Sequence, residues 1–370
     1  MPAGEIYPLP FDENFFREVG KLFISGFEGK KAKGEIINAL HEGLGGVILF
    51  PSNLGSPKEI LSLTNGLRKA GKSPQLLIGI DQEGGRVARL KKPFTVFPPM
   101  SVLGTIGDTE LARRVGQVIA RELSAVGINL NFAPVMDIAQ ADSNDIIGDR
   151  SFGVDPQLVG KIGSAFIEGL QGEGVAGCAK HFPGHGATRR DSHLELPEIL
   201  LSKTEMEPHI APFKSAVEAG ISAIMTAHIR CHALDKYHPA TLSSSILTGL
   251  LRTQLGFSGV IITDDMEMKA VADIMPPEDA TALALRAGAD MILVCHNLEK
   301  TKKLHRYIHE AIRYVLINPE DVFDKLERIS KLKRDFAPPK KKPPLKIIGC
   351  TEHQKVAREV IGLTENFSRN

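Results

Sequence analysis

Eight short apolar runs, separated by segments of helical periodicity, constrain this chain more than any other feature. They are KLFISGF from Lys21, VILF from Val47, LLIGI from Leu76, NLNFA from Asn129, VAGCA from Val175, SAIMTA from Ser222, VIIT from Val260 and DMILV from Asp290. Each is short, continuous and mostly rich in branched side chains, the pattern of a strand buried on both faces. Helical periodicity fills the intervals, as in Glu110 to Val126, Leu158 to Leu170, Ile210 to Ala219, Ile246 to Leu255 and Ala280 to Ala287. The order is strand then helix throughout. Eight such units fit an α/β fold of the (β/α)8 TIM barrel type, because a doubly wound sheet generally uses fewer strands.

Local punctuation agrees. A glycine precedes nearly every strand, at Gly20, Gly71, Gly127, Gly174, Gly220, Gly256 and Gly288, where the residue past a helix end commonly takes a positive φ. Ser56, Pro57 and Glu59 predict a capped helix start with a first-turn proline, and Asp155 with Pro156 repeats the signal.

The 45 Lys and Arg against 44 Asp and Glu leave no basic excess for gripping a phosphate backbone, so a nucleic-acid partner is not expected. Cys178, Cys231, Cys295 and Cys350 are too scattered for a disulfide framework or a CxxC site. The first residues lack the charged start and apolar run of a secretory signal, and no apolar stretch is long enough to span a bilayer. A cytoplasmic monomer without membrane partners is the expectation.

In such a barrel the chemistry sits where strands end, at their carboxyl side. Polar residues concentrate there: Asp81-Gln82-Glu83-Gly84-Gly85-Arg86 with Arg89, Asp137, Asp149-Arg150, Lys180-His181, His185, Asp191 and His193, His228 and Arg230, and Asp264-Asp265. Asp264 continues a buried run and is placed at the barrel mouth. Asp265 fits a helix cap equally well. Arg89 and Arg150 suit either surface ion pairs or the holding of a hydroxyl-rich or anionic ligand. His181, His185 and His193 raise a zinc site, but Pro183 and Gly184 interrupt the helix that such spacing needs, and the HExxH glutamate is missing. Gly184 and Gly186 read as a mobile loop able to close over a substrate.

Taken together, IDQEGGRVARL, NLNFAPVMDI, IIGDRSFG, AKHFPGHG with DSH, IMTAHI and IITDDMEM resemble the glycoside hydrolase family 3 β-N-acetylhexosaminidases, in family order from about residue 20 to 335. The likeness is strongest to the bacterial β-N-acetylglucosaminidases of peptidoglycan recycling. It implies a retaining exo-hydrolase of terminal β-linked N-acetylglucosamine, with Asp264 as nucleophile and His193 with Asp191 as the acid/base dyad. It further implies that Asp81, Arg89, Arg150, Lys180 and His181 hold the sugar, with no metal or organic cofactor. A small saccharide or muropeptide is the expected partner. A histidine suits the second role because it titrates near neutral pH and Asp191 favours its protonated form.

Other readings stay open from sequence. A histidine acid/base does not repel phosphate, which admits a phosphorylase; a β-glucosidase of the same family is a further enzyme reading; a non-catalytic sugar-binding descendant belongs to a different class. The chain divides into a catalytic barrel over 1–336 and a segment over 337–370. In that segment the Pro and Lys run APPKKKPPLK is an extended spacer, and the following residues resemble the opening of a second domain, too short to build a core alone. Such a tail fits docking on the barrel or a loose end equally. With no Trp, a compact pocket gripped by Arg, Lys, His and Asp is expected rather than a long polysaccharide groove.

Overall fold

The computed structural model describes residues 12–140, 146–188 and 196–367. Eight parallel strands close into a barrel: β1 Phe23–Ser25, β2 Gly46–Ile48, β3 Leu77–Ile80, β4 Leu130–Asn131, β5 Ala176–Phe182, β6 Ala223–Thr226, β7 Val260–Asp265 and β8 Met291–Val294. All eight fall on the predicted apolar runs. Each strand pairs with its sequence neighbours, and β8 returns to β1 through Phe23 opposite Ile292 and Ser25 opposite Val294. The barrel strands are almost wholly buried because helices cover the outside while inward side chains fill the centre.

The helices follow from their caps. Pro57–Ala70 starts on a Ser56–Glu59 capping box, and Asp155 accepts the Gln157 backbone N–H to start Pro156–Gly172. Gly127 and Gly220 adopt φ of 77° and 74°, as a helix stop requires. Gly20 and Gly71 are different. A Cβ on Gly20 would lie 2.7 Å from the Glu42 carbonyl oxygen, so close packing selects that glycine. At Gly71 the left-handed residue is instead its neighbour Lys72, φ 48°. The segment predicted over Ile246 to Leu255 is a helix of π type, Ser245–Gln254.

Beyond helix Pro319–Asp335, the chain crosses the Pro and Lys run and forms helix Thr351–Phe367. This last helix lies on the barrel, against Met100–Ile106 and Thr109–Ala125. Val356, Ala357 and Val360 are buried there, and Arg114 holds Glu359 through two bonds of 2.9 and 2.8 Å. Beneath them the buried Glu122 carboxylate accepts from the Gly349 N–H at 2.9 Å and lies 2.8 Å from His353 Nδ1. Cys178, Cys231, Cys295 and Cys350 are unpaired. Among the described residues no helix is long and apolar enough to cross a membrane.

Candidate active site

The carboxyl ends of β3, β5 and β7 bring four of the predicted residues to one mouth. Asp81 directly follows β3. The chain then doubles back as a hairpin, Gln82–Gly84 against Val87–Ala88. That hairpin is bolted to the barrel: Asn131 of β4 donates to the Gln82 carbonyl and accepts its N–H, both at 2.9 Å, and the Gln82 side chain pairs with the Leu90 backbone. Arg89 emerges from it to face Asp81, with Nη2 3.5 Å from Oδ2, and its guanidinium lies 5.9 Å from the Phe50 ring centre. Arg89 Nε is buried with no hydrogen-bond partner among the described residues.

Lys180, near the end of β5, organises the centre. Its Nζ stands 2.9 Å from Asp81 Oδ1 and 2.7 Å from Glu83 Oε1. Arg150 completes the cluster with a two-pronged contact to Glu83, Nε to Oε2 at 2.9 Å and Nη2 to Oε1 at 2.8 Å. Burial works to raise the Glu83 carboxyl, but the charges of Lys180 and Arg150 and their hydrogen bonds outweigh it and pull it down to about 2. Lys180 and Arg150 are pushed up in return, against the opposing effect of burial. Arg150 therefore stands in a buried network, not in a surface ion pair, and Glu83 is a member that motif reading did not single out.

The histidine segment is fixed by a second buried carboxylate, also unassigned from sequence. Asp137 Oδ2 accepts the His181 backbone N–H at 3.1 Å and lies 2.8 Å from His181 Nδ1, while Oδ1 accepts the His185 N–H at 2.6 Å. Burial would raise the Asp137 carboxyl, and the two histidines with these bonds hold it below the carboxylate range. His185 bonds Thr188 Oγ1 through Nδ1 at 2.9 Å, and burial, with His181 beside it, pushes it down to about 4. Gly184 and Gly186 are buried and tightly packed. A Cβ on Gly186 would fall 1.8 Å from the Ile138 carbonyl oxygen, and Gly184 combines a φ of 126° with close packing on His209, so both positions require glycine in this arrangement. The Asp191 and His193 positions lie outside the described residues.

Asp264 and Asp265 end β7 with distinct surroundings. Asp264 is partly exposed at the mouth, and its Oδ1 accepts the Asp265 N–H at 2.8 Å. Desolvation would raise its carboxyl, but His181, His228, that N–H and Lys180 together hold it below the ordinary range, hence ionised near neutral pH. Asp265 turns its Oδ1 to the backbone N–H groups of Glu267 and Cys295, at 3.1 and 3.0 Å, and burial raises its carboxyl. Of the two, Asp265 has the turn-bracing role that sequence left open. His228 is buried behind the pair, with Nε2 3.0 Å from the Asp265 carbonyl and Nδ1 2.8 Å from Thr241 Oγ1. Among the described residues no set of three or more His, Cys, Asp or Glu side chains is grouped to hold a metal.

A closed (β/α)8 barrel whose strand ends gather an ionised aspartate and a rim of Asp, Arg, Lys and His has the layout of a barrel enzyme acting on a polar substrate. Residues 17–332 match the glycosyl hydrolase family 3 N terminal domain, and the chain belongs to that family. It is 40% identical over 271 residues to a beta-hexosaminidase of Nitrosomonas eutropha, covering 71% of this chain and 77% of that one. With the beta-hexosaminidase of Alkalilimnicola ehrlichii it shares 35% identity over 322 residues, 84% of this chain and 92% of the relative. A family 3 beta-N-acetylglucosaminidase from Paenibacillus sp. str. FPU-7 superposes with a TM-score of 0.89 at 36% identity, covering 93% of this chain and 67% of that one. NagZ from Neisseria gonorrhoeae, solved with N-trifluoroacetyl-D-glucosamine, gives 0.78 at 31% identity, with 92% and 97% covered. The chain is accordingly a glycoside hydrolase of the β-N-acetylhexosaminidase type.

Proposed function

We propose that this enzyme releases terminal β-linked N-acetylglucosamine by hydrolysis with retention of configuration, through a covalent intermediate on Asp264. The observation that carries the reading is the state of Asp264: accessible at the mouth, ionised, and with an oxygen oriented by a backbone N–H. An ionised carboxylate there attacks the anomeric carbon as the glycosidic C–O bond breaks, and the leaving oxygen takes a proton from an acid. Water then cleaves the ester, giving up its proton to the same group acting as base. His193 with Asp191 is assigned that second role on the likeness of the DSH segment to the family.

Asp81, Arg89, Arg150, Lys180 and His181 are assigned to the sugar. Asp81 accepts hydrogen bonds from sugar hydroxyls, and Lys180 donates to them while setting the field beside Asp264. Arg89 Nε, a buried donor without a partner among the described residues, suits a ligand oxygen. Arg150, besides facing the sugar, braces Lys180 through Glu83. Relatives named beta-hexosaminidase and beta-N-acetylglucosaminidase support an N-acetylglucosaminide as substrate; a muropeptide fragment, met in the cytoplasm by a monomer, is proposed on the likeness of the motif set to the enzymes of peptidoglycan recycling. Incubation with cell-wall fragments and chromogenic β-glycosides, with and without phosphate, followed by mass spectrometry, tests this. Free N-acetylglucosamine in both buffers is expected; sugar 1-phosphate in phosphate buffer would make the enzyme a phosphorylase.

A further inference from the structure

Two residues beyond β6, His228 is fully buried behind the turn that carries Asp264. Its surroundings fix where its protons are. Nε2 stands 3.0 Å from the Asp265 carbonyl oxygen. A carbonyl can only accept, so Nε2 carries a proton and donates it.

The other ring nitrogen is decided by one hydroxyl. Thr241, in the turn Ala240–Leu242, is fully buried, and its Oγ1 stands 2.8 Å from His228 Nδ1, 2.7 Å from Thr226 Oγ1 and 3.0 Å from the Ala227 carbonyl oxygen. A hydroxyl donates one hydrogen bond and accepts up to two. The Ala227 carbonyl can only accept, so it takes the Thr241 proton. Thr226 and His228 Nδ1 must then both donate to Thr241 Oγ1, and a histidine that donates from both nitrogens is an imidazolium. A neutral ring would take the Thr241 proton for itself and deprive the buried Ala227 carbonyl of that bond, an unfavourable exchange in the interior.

The charge has a neighbour to act on. Asp264 Oδ1 accepts the Asp265 N–H, and His228 is among the groups that hold the Asp264 carboxyl below its ordinary range, with His181 and Lys180 of β5. Asp265 on β7 and Cys295 just after β8, both raised by burial, add no positive charge there.

On the reading of Asp264 as nucleophile, we propose that His228 is a positioning residue held as a buried imidazolium. Through Nε2 it fixes the Asp265 carbonyl, and through its charge it stabilises the Asp264 carboxylate as that carboxylate leaves the sugar. In that step water bonds to the anomeric carbon while the ester C–O bond breaks; the electron pair returns to Asp264 and the water proton passes to the base. A fixed cation beside the departing carboxylate lowers this barrier. The same charge gives no help in the first step, where the free carboxylate it stabilises is consumed.

Nitrogen NMR of the imidazole rings on the full chain near neutral pH, with stopped-flow release of dinitrophenol from a dinitrophenyl N-acetyl-β-glucosaminide, tests this. Both ring nitrogens of His228 are expected to carry protons, the signals being assigned by their absence from His228→Gln. That variant keeps a donor for the Asp265 carbonyl and lacks the charge. It should release a burst of about one equivalent of dinitrophenol, at a rate within about threefold of the parent, and then turn over about tenfold or more slowly. Burst amplitude counts active sites, so partial misfolding lowers it without imitating the change in rate. Thr241→Val removes the oxygen that receives the Nδ1 proton; it should slow the second phase in the same sense, and it decides the kinetics if His228→Gln fails to fold. A single protonated nitrogen on His228, a steady rate unchanged in both variants, or a burst slowed as much as the steady rate would overturn the role of His228. A burst that persists in Asp264→Asn would overturn the nucleophile instead, which keeps the two failures distinct.

Discussion

Lys180 and Glu83 form an ion pair of 2.7 Å in which both side chains are almost completely buried, 4% and 1% exposed. The pair holds the floor of the mouth, since Lys180 also reaches Asp81 and Glu83 also takes both prongs of Arg150. Breaking one member leaves an uncompensated buried charge, whose cost is about 3–5 kcal/mol. Glu83→Ala should therefore lower unfolding free energy by about that much in urea titration, and lower kcat/KM because Lys180 loses its anchor. A loss below about 1 kcal/mol would mean that the network contributes little to the fold.

The same carboxylate predicts an acid limb. Its folded value of about 2 lies below the ordinary 4.5, so its stabilisation is fully present above 4.5 and is lost as pH falls from there towards 2. Glu83→Gln should flatten the pH dependence of stability across that window, measured by denaturant midpoint against pH. An unchanged slope would assign the acid sensitivity to other groups.

Asp264 and Asp265 separate by readout. Asp264→Asn should reduce turnover of p-nitrophenyl N-acetyl-β-glucosaminide by on the order of a thousandfold or more with little change in midpoint. Asp265→Ala should unfold more readily, because the Glu267 and Cys295 N–H groups lose their acceptor. If Asp265→Ala were as inactive as Asp264→Asn while equally stable as the parent, the roles would be reversed.

His193→Ala should spare substrates with good leaving groups, which need little protonation, and strongly impair those with poor ones. Steady-state kinetics over a series of aryl N-acetylglucosaminides would show a steepened dependence on leaving-group pKa. Equal impairment throughout would remove His193 from the acid role.

The carboxyl-terminal helix is part of the folded body through Glu122, which accepts from Thr95 N and Oγ1 at 2.8 and 2.7 Å besides Gly349 and His353. Glu122→Ala should cost about 2–3 kcal/mol and admit proteolytic cleavage within the Pro and Lys run. A variant as resistant as the parent would show the helix to be held by its apolar face alone.

Strands and caps were legible because burial on both faces and helix ends leave local signatures in composition. The mouth was legible only where a polar residue directly follows an apolar run, as with Asp81, Lys180 and Asp264. Glu83 and Asp137 stand in the same strand-end segments, yet what defines them is partnership with residues 67 and 44 positions away, and no local pattern encodes such pairing. The docked tail was illegible for the same reason, since its buried link to Glu122 spans 231 positions. For Gly186 the sequence shows the residue but not its neighbour: the close approach to the Ile138 carbonyl comes from a residue 48 positions earlier in the chain.

The most direct test of the central claim is mass mapping of His193→Ala after rapid quenching with a dinitrophenyl N-acetyl-β-glucosaminide, which forms the covalent intermediate easily and discharges it slowly. One N-acetylhexosaminyl group per protein is expected, on the peptide bearing Asp264 and at that side chain. An unmodified protein that still turns over, or the adduct on any other residue, would contradict it.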